Sequence, residues 1–340
     1  MAGTGVYREG HEPSPAERTL ASSTAAVMSR LRNASTLVMV VVAWIAMSIA
    51  SPHFLTADNI ENVLQRSATL ALLAMGLTIV LIAAEIDLSV GALEALGASV
   101  VAVLMVNEGV PVPLAIVLTI ALGVLVGSIT GLITVSFGVP SFITSLAMLS
   151  IASGAALVVT NGRPVYGLPD SFTFIGSGDV LGVPVSVLIA GAIAIALILV
   201  MKRTRFGLHV YALGDSAWAA ESAGLRPARL RVAVLAISAG LASLAGMIIA
   251  AELNSGNATI GTDDLLSAIA AVVIGGTSLF GGVGTIGGTL LGVLLIGTLR
   301  NGLNLLNVEA FWQQVVIGLM ILAAVIFDYV LRPKEERSDR

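Results

Sequence analysis

The chain has 340 residues, of which 56% are hydrophobic and 11% charged, and its mean hydropathy is +0.98. A soluble domain carries about 25% charged residues, so this composition excludes a soluble globular protein and indicates a membrane protein. The net charge is −4, and the absence of cysteine excludes disulfides and thiolate metal sites. The three histidines are scattered and predict no metal site, and neither Lys202 nor Lys334 lies in a GxxxxGK[ST] loop, which excludes P-loop ATP binding.

The two ends of the chain are polar. Residues 1–34 are rich in Pro, Ser and Ala and lack the basic start and immediate apolar core of a signal peptide. We expect them to form a disordered cytoplasmic tail, with a second cytoplasmic tail at 333–340.

Between the tails lie ten apolar segments, each a candidate for the roughly 20 residues that a helix needs to cross a bilayer. They are 35–51, 67–84, 88–106, 110–139, 141–160, 182–201, 232–251, two segments within 265–299 divided by a Gly-rich break near 281–284, and 310–327. The pattern predicts an all-α fold for 35–332: a polytopic membrane helix bundle of about ten transmembrane helices.

The basic residues predict the orientation of the bundle. All of the 17 except Arg66, Arg163 and Arg300 fall in the tails, at Arg332 directly before the second tail, or in the segment between the sixth and seventh spans. Cytoplasmic segments carry an excess of Lys and Arg, so the asymmetry favours both termini in the cytoplasm.

Glycines spaced four residues apart predict close helix packing in the fourth and ninth spans. These are Gly123, Gly127 and Gly131, and Gly284, Gly288 and Gly292. Packing within one subunit and a subunit interface both remain possible. A weak internal similarity also relates AEIDLSVG (84–91) to GGTSLFGG (275–282), as in transporters built from repeats with broken helices, although chance similarity is an alternative.

The longest inward segment, KRTRFGLHVYALGDSAWAAESAGLRPARLR, joins the sixth and seventh spans. Asp215 or Ser216 can cap a short helix that Gly224 ends. Two readings compete: a helix held at the lipid surface by arginines, or a docking element for a cytoplasmic partner.

Three carboxylates, Glu85, Asp87 and Glu94, interrupt the apolar sequence without a nearby Lys or Arg. Asp87 and Ser89 could cap the third span. Alternatively, the carboxylates present oxygen acceptors to water, to a moving helix end or to sugar hydroxyls, which would suit an inner gate. Other polar residues predict either a substrate path or ordinary loop polarity: Ser141, Thr144, Asn254, Asn257, Asn301, Asn304, Gln313 and Gln314.

Several runs over about residues 35–332 together resemble the ribose/xylose/galactoside-type permeases of bacterial ABC transporters. They are IDLSVG (86–91), GVPSFITSLAMLSIASG (138–154), ALGDSAWAAESAG (212–224), AIAAVVIGGTSLFGGVGTIGGTLLG (268–292), NGL (301–303) and WQQVVIG (312–318). The family commonly has a Gly pair directly before IDLSVG, where this chain has Ala84 and Glu85.

The resemblance implies import of a monosaccharide or related polyol through the bacterial cytoplasmic (inner) membrane. It implies a second permease copy, a cytoplasmic ATPase subunit that uses ATP and Mg, and an extracytoplasmic sugar-binding protein, with membrane lipid around the chain, no cofactor on this chain and no nucleic-acid partner. It also implies that a segment at about 207–229 contacts the ATPase through Gly214, Asp215, Ala219, Ala220, Glu221 and Gly224.

The expected function is therefore that of a transport subunit without its own ATPase site. An ion-coupled secondary transporter of a small polar solute is the alternative, since buried carboxylates would suit one, but the elaborate inward segment would then lack a purpose. An intramembrane enzyme is disfavoured because no catalytic dyad is visible.

Overall fold

The computed structural model describes residues 36–261 and 263–330. The predicted tails at 1–34 and 333–340 lie outside these residues. The helices and strands, in chain order, are α1 (Thr36–Ala50), α2 (Ala57–Ile82), α3 (Val90–Val106), α4 (Val112–Phe137), α5 (Ser141–Val159), β1 (Val165–Tyr166), α6 (Asp170–Ser177), β2 (Asp179–Val180), β3 (Val183–Pro184), α7 (Val185–Arg203), α8 (Arg205–Asp215), α9 (Ala217–Ser222), α10 (Pro227–Leu253), β4 (Ser255–Gly256), α11 (Asp264–Ile274), α12 (Ile286–Leu305) and α13 (Ala310–Val330).

The fold is mostly helical, as predicted. Within the described ranges, six helices are long and apolar enough to cross a membrane: α2, α4, α5, α7, α10 and α12. The apolar stretches of α1, α3, α11 and α13 are shorter, so the count of ten spans and the orientation of the termini stay predictions.

Two boundaries predicted from hydropathy were wrong. Helix α2 begins at Ala57 rather than at residue 67. Hydropathy missed its first turns because they carry polar residues such as Glu61 and Arg66. The break between the eighth and ninth spans is wider than 281–284: α11 ends at Ile274 and α12 begins at Ile286.

Helix α10 lies at the centre of the bundle and packs against α2, α3 and α4. The α4 glycines make this possible, because a Cβ at Gly127 would lie 2.5 Å from the carbonyl oxygen of Leu235, and a Cβ at Gly131 would lie 2.7 Å from Val232 Cα. Gly123 likewise faces Ser243. In this chain the α4 glycine stripe therefore lies against α10.

The second set of glycines divides between a loop and a helix. Gly284 lies in the loop before α12, beside Thr277. Gly288 contacts Gly275, and Gly292 faces the carbonyl oxygen of Ala271, so both bring α12 close to α11. Small residues allow this approach in a bundle whose outer helices α4, α5 and α7 expose apolar side chains.

The end of the bundle at which α10 finishes is closed by short elements. Strand β1 pairs antiparallel with β4, with Val165 opposite Gly256 and Tyr166 opposite Ser255. Helix α6 packs on the last turns of α10 at Gly176, and Gln65 of α2 donates to the Gly176 carbonyl at 2.6 Å. A β2–β3 hairpin follows.

The segments that showed an internal similarity share a backbone pattern. After α2, the amides of Ala83, Ala84 and Glu85 bond to carbonyls four, three and five residues back, and those of Gly275, Gly276 and Thr277 do the same after α11. A side-chain turn follows in both: Ser89 N–H donates to Asp87, and Phe280 N–H donates to Ser278. The backbone bonds are those of a common helix C-terminal motif and are offset by one residue from the aligned segments, so the repeat and chance similarity both stay open.

Candidate functional site

The segment between α7 and α10 is mostly helical. The sequence predicted one short helix here and missed α8, which has a polar face and begins where Thr204 accepts from the Gly207 amide. Helix α9 is the predicted short helix, and Ser216 is its cap, accepting from Ala219 N–H at 3.2 Å. Gly224 follows it with φ +82°, a left-handed conformation that favours glycine.

The residues predicted to contact an ATPase divide between two sides of this segment. Asp215, Ala219, Glu221 and Gly224 are exposed. Ala220 is buried and Gly214 is packed against the helix bundle. The two inward residues therefore hold the segment to the bundle, and the four exposed ones form its outer surface.

Trp218 is a surface residue that the sequence analysis missed. Its side chain is 79% exposed on α9, between Asp215 and Glu221. An exposed tryptophan on a charged surface is typical of an anchor at a protein interface. Its presence in a six-residue, otherwise small-residue helix was the signal that could have identified it.

Gly214 lies at a junction where three chain segments meet. A Cβ at Gly214 would collide with the carbonyl oxygen of Ile82, at the end of α2, and would lie 2.6 Å from Gly282 N. The Gly282 amide donates to the same Ile82 carbonyl at 2.9 Å. Gly281 (φ +94°) lies against Ala84. We call this the glycine junction: Ile82–Ala84, Gly214 and Gly281–Gly282.

Tyr211 adds a side-chain link to the glycine junction. Its phenol donates to the Gly284 carbonyl at 2.8 Å, connecting α8 to the loop before α12. Burial raises the pKa of the Tyr211 phenol above its ordinary value, so the hydroxyl stays a donor at neutral pH.

The non-helical segment 83–89 is held by hydroxyl groups of α5. Ser141 Oγ accepts from Ile86 N–H at 3.0 Å, and Ser145 Oγ accepts from Leu88 N–H at 3.0 Å. Thr144, which was also predicted to line a path, pairs with Thr134 of α4 at 2.6 Å instead. Ser141 and Ser145 therefore replace the partners that a regular helix would give to these amides.

Two of the three carboxylates have partners on α10. Glu85 forms an ion pair with Arg231, with 2.7 Å between Oε1 and Nε. Asp87 is buried and accepts from Ser89 N–H, from Ser89 Oγ and, at 3.1 Å, from Ser238 Oγ. Ser89 is the first residue before α3, and its side chain forms no cap bond to that helix, while Asp87 bonds the amide of Ser89 itself. These acids join segment 83–89 to the central helix.

Glu94 differs from the other two carboxylates. It is 0% exposed, and within the described part of the chain neither carboxyl oxygen has a hydrogen-bond partner. Its backbone carbonyl faces Gly246 of α10, and its Oε2 lies beside Gly261. Asp264 and Arg300 lie within electrostatic range of its carboxyl group. A buried carboxylate without a partner is costly, and in membranes such groups are typical of functional sites.

A cavity of about 430 Å³ opens at the end of the bundle far from the glycine junction. This volume is in the range of small-molecule sites. The cavity is lined by guanidinium, carboxylate and amide side chains with an apolar wall. The lining comprises Arg66, Thr69, Leu70, Ile249, Glu252, Leu253, Thr259, Gly261, Asp263, Asp264, Gly297, Arg300, Asn301, Asn304, Ala310, Gln313, Gln314 and Ile317.

Four of the predicted path residues line this cavity: Asn301, Asn304, Gln313 and Gln314. Asn301 exchanges two hydrogen bonds with Asn59, at 2.8 and 3.0 Å, and Gln313 donates to Asn304 at 2.7 Å.

The other two predicted amides lie outside the cavity. Asn254 accepts from Leu168 N–H at 2.8 Å, and Asn257 accepts from Thr259 N–H at 3.1 Å. Both side chains bond to backbone amides, and both residues lie in the chain that follows α10.

Three helices connect the glycine junction to the cavity. Helix α2 runs from Arg66 in the cavity wall to Ile82 in the junction, about 24 Å at 1.5 Å per residue. Helix α12 starts two residues after Gly284 and contributes Arg300. Helix α10 starts just beyond α9 and ends with Glu252 and Leu253 in the cavity wall. The α8–α9 segment therefore contacts helices that line the cavity at their other end.

The chain matches the family model described as "Branched-chain amino acid transport system / permease component" over residues 59–325. It is 39% identical to the ribose import permease protein RbsC of Haemophilus influenzae over 292 residues, 85% of this chain and 90% of the relative. It is 43% identical to RbsC of Bacillus subtilis over 286 residues (84% and 88%). It is 32% identical to the xylose transport system permease protein XylH of Escherichia coli over 381 residues (92% and 97%). No solved structure matches.

The chain therefore belongs to this family of transport-system permease components. It is a multi-pass membrane protein and a transport subunit, not an enzyme. The resemblance to ribose- and xylose-type permeases is confirmed by the relatives that match it.

Proposed function

We propose that the chain is the transmembrane permease subunit of an ATP-binding-cassette importer that carries a monosaccharide across the bacterial cytoplasmic membrane. The observation that carries the proposal is its similarity, over most of its length, to the ribose and xylose permeases named above. The mixed polar lining of the cavity supports it, since amide, carboxylate and guanidinium groups bind hydroxyls as donors and acceptors.

A separate ATPase drives the transport by docking on the α8–α9 segment. The exposed residues of that segment support this role: Asp215, Trp218, Ala219, Glu221 and Gly224 are exposed on and around a short capped helix. Partner ATPase subunits use ATP and Mg, while this chain supplies no nucleotide site of its own. A second copy of the permease and an extracytoplasmic sugar-binding protein complete the assembly.

The orientation follows from the same assignment. With both termini in the cytoplasm, the α8–α9 segment faces the ATPase and the cavity faces the sugar-binding protein. The basic residues flanking α9, such as Arg203, Arg226 and Arg229, then lie on the inner side, as the excess of basic residues on cytoplasmic segments requires.

Segment 83–89 acts as the inner gate. It carries Glu85, Asp87 and Ser89, and it is bonded both to α5 and to α10. Because Ile82 and Ala84 belong to the glycine junction, movement of α8–α9 changes the position of this segment directly.

The test is uptake by the chain reconstituted in liposomes with its ATPase subunit and sugar-binding protein. We expect accumulation of a labelled monosaccharide such as ribose or xylose that requires both partners and ATP. Uptake that persists without ATP and without the ATPase, and follows an imposed ion gradient, would instead support an ion-coupled secondary transporter. Accumulation of leucine rather than a monosaccharide would contradict the substrate class.

Docking on the inward segment is tested with Glu221→Lys. This variant should lose co-purification of the ATPase while it inserts normally into the membrane, because the exposed carboxylate lies on the docking surface. Co-purification at the wild-type level would contradict the docking assignment.

A further inference from the structure

We infer that each permease subunit has its own weak monosaccharide site in the 430 Å³ cavity, centred on Arg66 and Glu252. The inference rests on the proposed function and assigns the sugar-contacting residues within a single chain. It places them at the end of the bundle opposite the α8–α9 segment.

Arg66 and Glu252 are two charged groups of the cavity wall, the first exposed and the second half-buried. They lie on α2 and α10, within electrostatic range of each other, yet both side chains are described and no ion pair joins them. Neither side chain forms a hydrogen bond among the described residues, so a guanidinium donor and a carboxylate acceptor both remain available. A hydroxylated ring between them would accept from the guanidinium and donate to the carboxylate.

The other charged groups in the wall hold the shape of the cavity. Arg300 donates to Asp264 at 2.8 Å and to the Asp263 carbonyl at 3.3 Å, which joins α12 to the start of α11. Gln313 and Asn304 are bonded to each other. Unlike these, Gln314 has no side-chain bond within the described chain, and it adds a further donor and acceptor.

Glu94 lies directly behind the cavity wall and does not line it. Its unpartnered carboxyl group is beside Gly261, a lining residue that has φ +79° and no side chain to separate the two.

The chemistry of the wall favours a neutral polyol over other ligands. Among the described residues no group of three His, Cys, Asp or Glu side chains can hold a metal ion, which disfavours a cation site. The wall contains three carboxylates and two guanidiniums, so it has no excess of positive charge that would attract an anion. The apolar residues Leu70, Ile249 and Ile317 give a face on which the C–H side of a sugar ring can pack.

The experiment measures binding of D-ribose, D-xylose and D-galactose, with L-leucine as the competing class, to the full chain in nanodiscs by saturation-transfer NMR. We expect saturable binding of at least one sugar and none of leucine. Glu252→Gln and Arg66→Gln should each weaken that binding about tenfold, the effect of losing one charge-assisted hydrogen bond. Arg163→Gln, an exposed residue at the same end but outside the cavity, is the matched control and should bind as the wild type does.

The outcomes separate this inference from the proposed function. If the reconstituted importer accumulates the sugar but the nanodisc-held chain shows no saturable sugar binding, or if both cavity variants bind like Arg163→Gln, the inference is overturned while the function stands. Saturable leucine binding without sugar binding would also overturn it. If the complete importer accumulates none of the three sugars, the proposed function itself fails. Gel filtration of each variant confirms folding. If one variant misfolds, Gln314→Ala, which removes another donor and acceptor of the wall, gives a second test and should also weaken the binding.

Discussion

The glycine junction and the cavity lie at opposite ends of the same three helices, and they are built in opposite ways. At the junction, backbone meets backbone: Gly214 lies against Ile82, and Gly282 bonds to the same carbonyl. At the cavity, long side chains such as Arg66 and Gln314 face an open volume without fixed partners. A close backbone contact transmits displacement with little slack, whereas a loosely lined cavity can admit and release a ligand.

The comparison gives a mechanical picture of the subunit. Rigid helices α2, α10 and α12 connect a tight joint to an adaptable site, so a small movement at the joint changes the spacing of groups in the cavity wall. Packed interfaces favour discrete arrangements over continuous deformation. The predictions below test the joint first and then its supports.

The largest effect is expected from Gly214→Ala. The added methyl group meets the backbone carbonyl of Ile82, which cannot rotate away as a side chain would. We expect ATP-driven uptake to fall at least about tenfold and the free energy of unfolding to fall by about 1–3 kcal/mol, the usual cost of overpacking. Uptake in proteoliposomes and thermal unfolding in detergent measure the two quantities.

Gly154→Ala on α5 is the matched control, because no atom lies within 4 Å of the position that its Cβ would take. It should transport as the wild type does. Normal uptake by Gly214→Ala would show that the glycine junction tolerates added volume. It would contradict the view that the junction is tightly packed while the cavity is open.

The next effect concerns the ion pair that ties the gate segment to α10. Arg231→Gln leaves the buried Glu85 carboxylate without its partner, so we expect a loss of about 1–3 kcal/mol in the free energy of unfolding. The double variant Glu85→Gln/Arg231→Gln should lose less, because no uncompensated charge remains. Thermal unfolding of the single and double variants gives the coupling.

Arg229→Gln makes the same change of charge on an exposed neighbour and should be nearly silent. If the double variant is no more stable than Arg231→Gln alone, the pair does not hold the segment in the way described, and the gate depends on the hydroxyls of Ser141 and Ser145.

Trp218→Ala tests the outer side of the α8–α9 segment. As an interface anchor, Trp218 should contribute about 2 kcal/mol to ATPase binding, so its removal should weaken the affinity about 30-fold. Membrane insertion should not change, since the side chain is exposed. Affinity is measured by titrating the purified ATPase onto nanodiscs.

Leu181→Ala removes an equally exposed apolar side chain, 99% exposed in the turn between β2 and β3, and serves as the control. If Trp218→Ala and Leu181→Ala bind the ATPase equally well, the docking surface lies elsewhere. The contact of Gly214 with Ile82 would then not be linked to ATPase binding.

The sequence predicted the architecture better than the site. Long apolar runs set the positions of α4 and α5 within a few residues, because hydropathy alone decides which helices lie in lipid. Helix α8 was missed because half of its residues are polar or small and its burial depends on tertiary contacts with α2 and α10. Amphipathic surface helices of this kind lack a strong apolar signal.

The contacts of individual site residues could not be predicted, since they depend on which helices become neighbours. Nothing in the sequence pairs Glu85 with Arg231, 146 positions later in the chain, or separates Asn254 from the amides of the cavity. The internal similarity of segments 84–91 and 275–282 was visible in the sequence, and the hydrogen bonds after α2 and α11 do not decide between a repeat and chance.

The smallest expected effect concerns the backbone conformation of Ala84 in the glycine junction. Ala84 has φ +58°, a left-handed conformation that costs an alanine about 1–2 kcal/mol. Ala84→Gly should therefore stabilise the chain by up to about 1 kcal/mol, after the roughly 0.5–1 kcal/mol that glycine loses in chain freedom. Ala83→Gly, at φ −75°, has no strain to relieve and should only destabilise. Equal shifts for the two alanine variants in thermal unfolding would mean that the strain is absorbed elsewhere in segment 83–89, whereas opposite signs would place stored strain at the hinge between α2 and the gate.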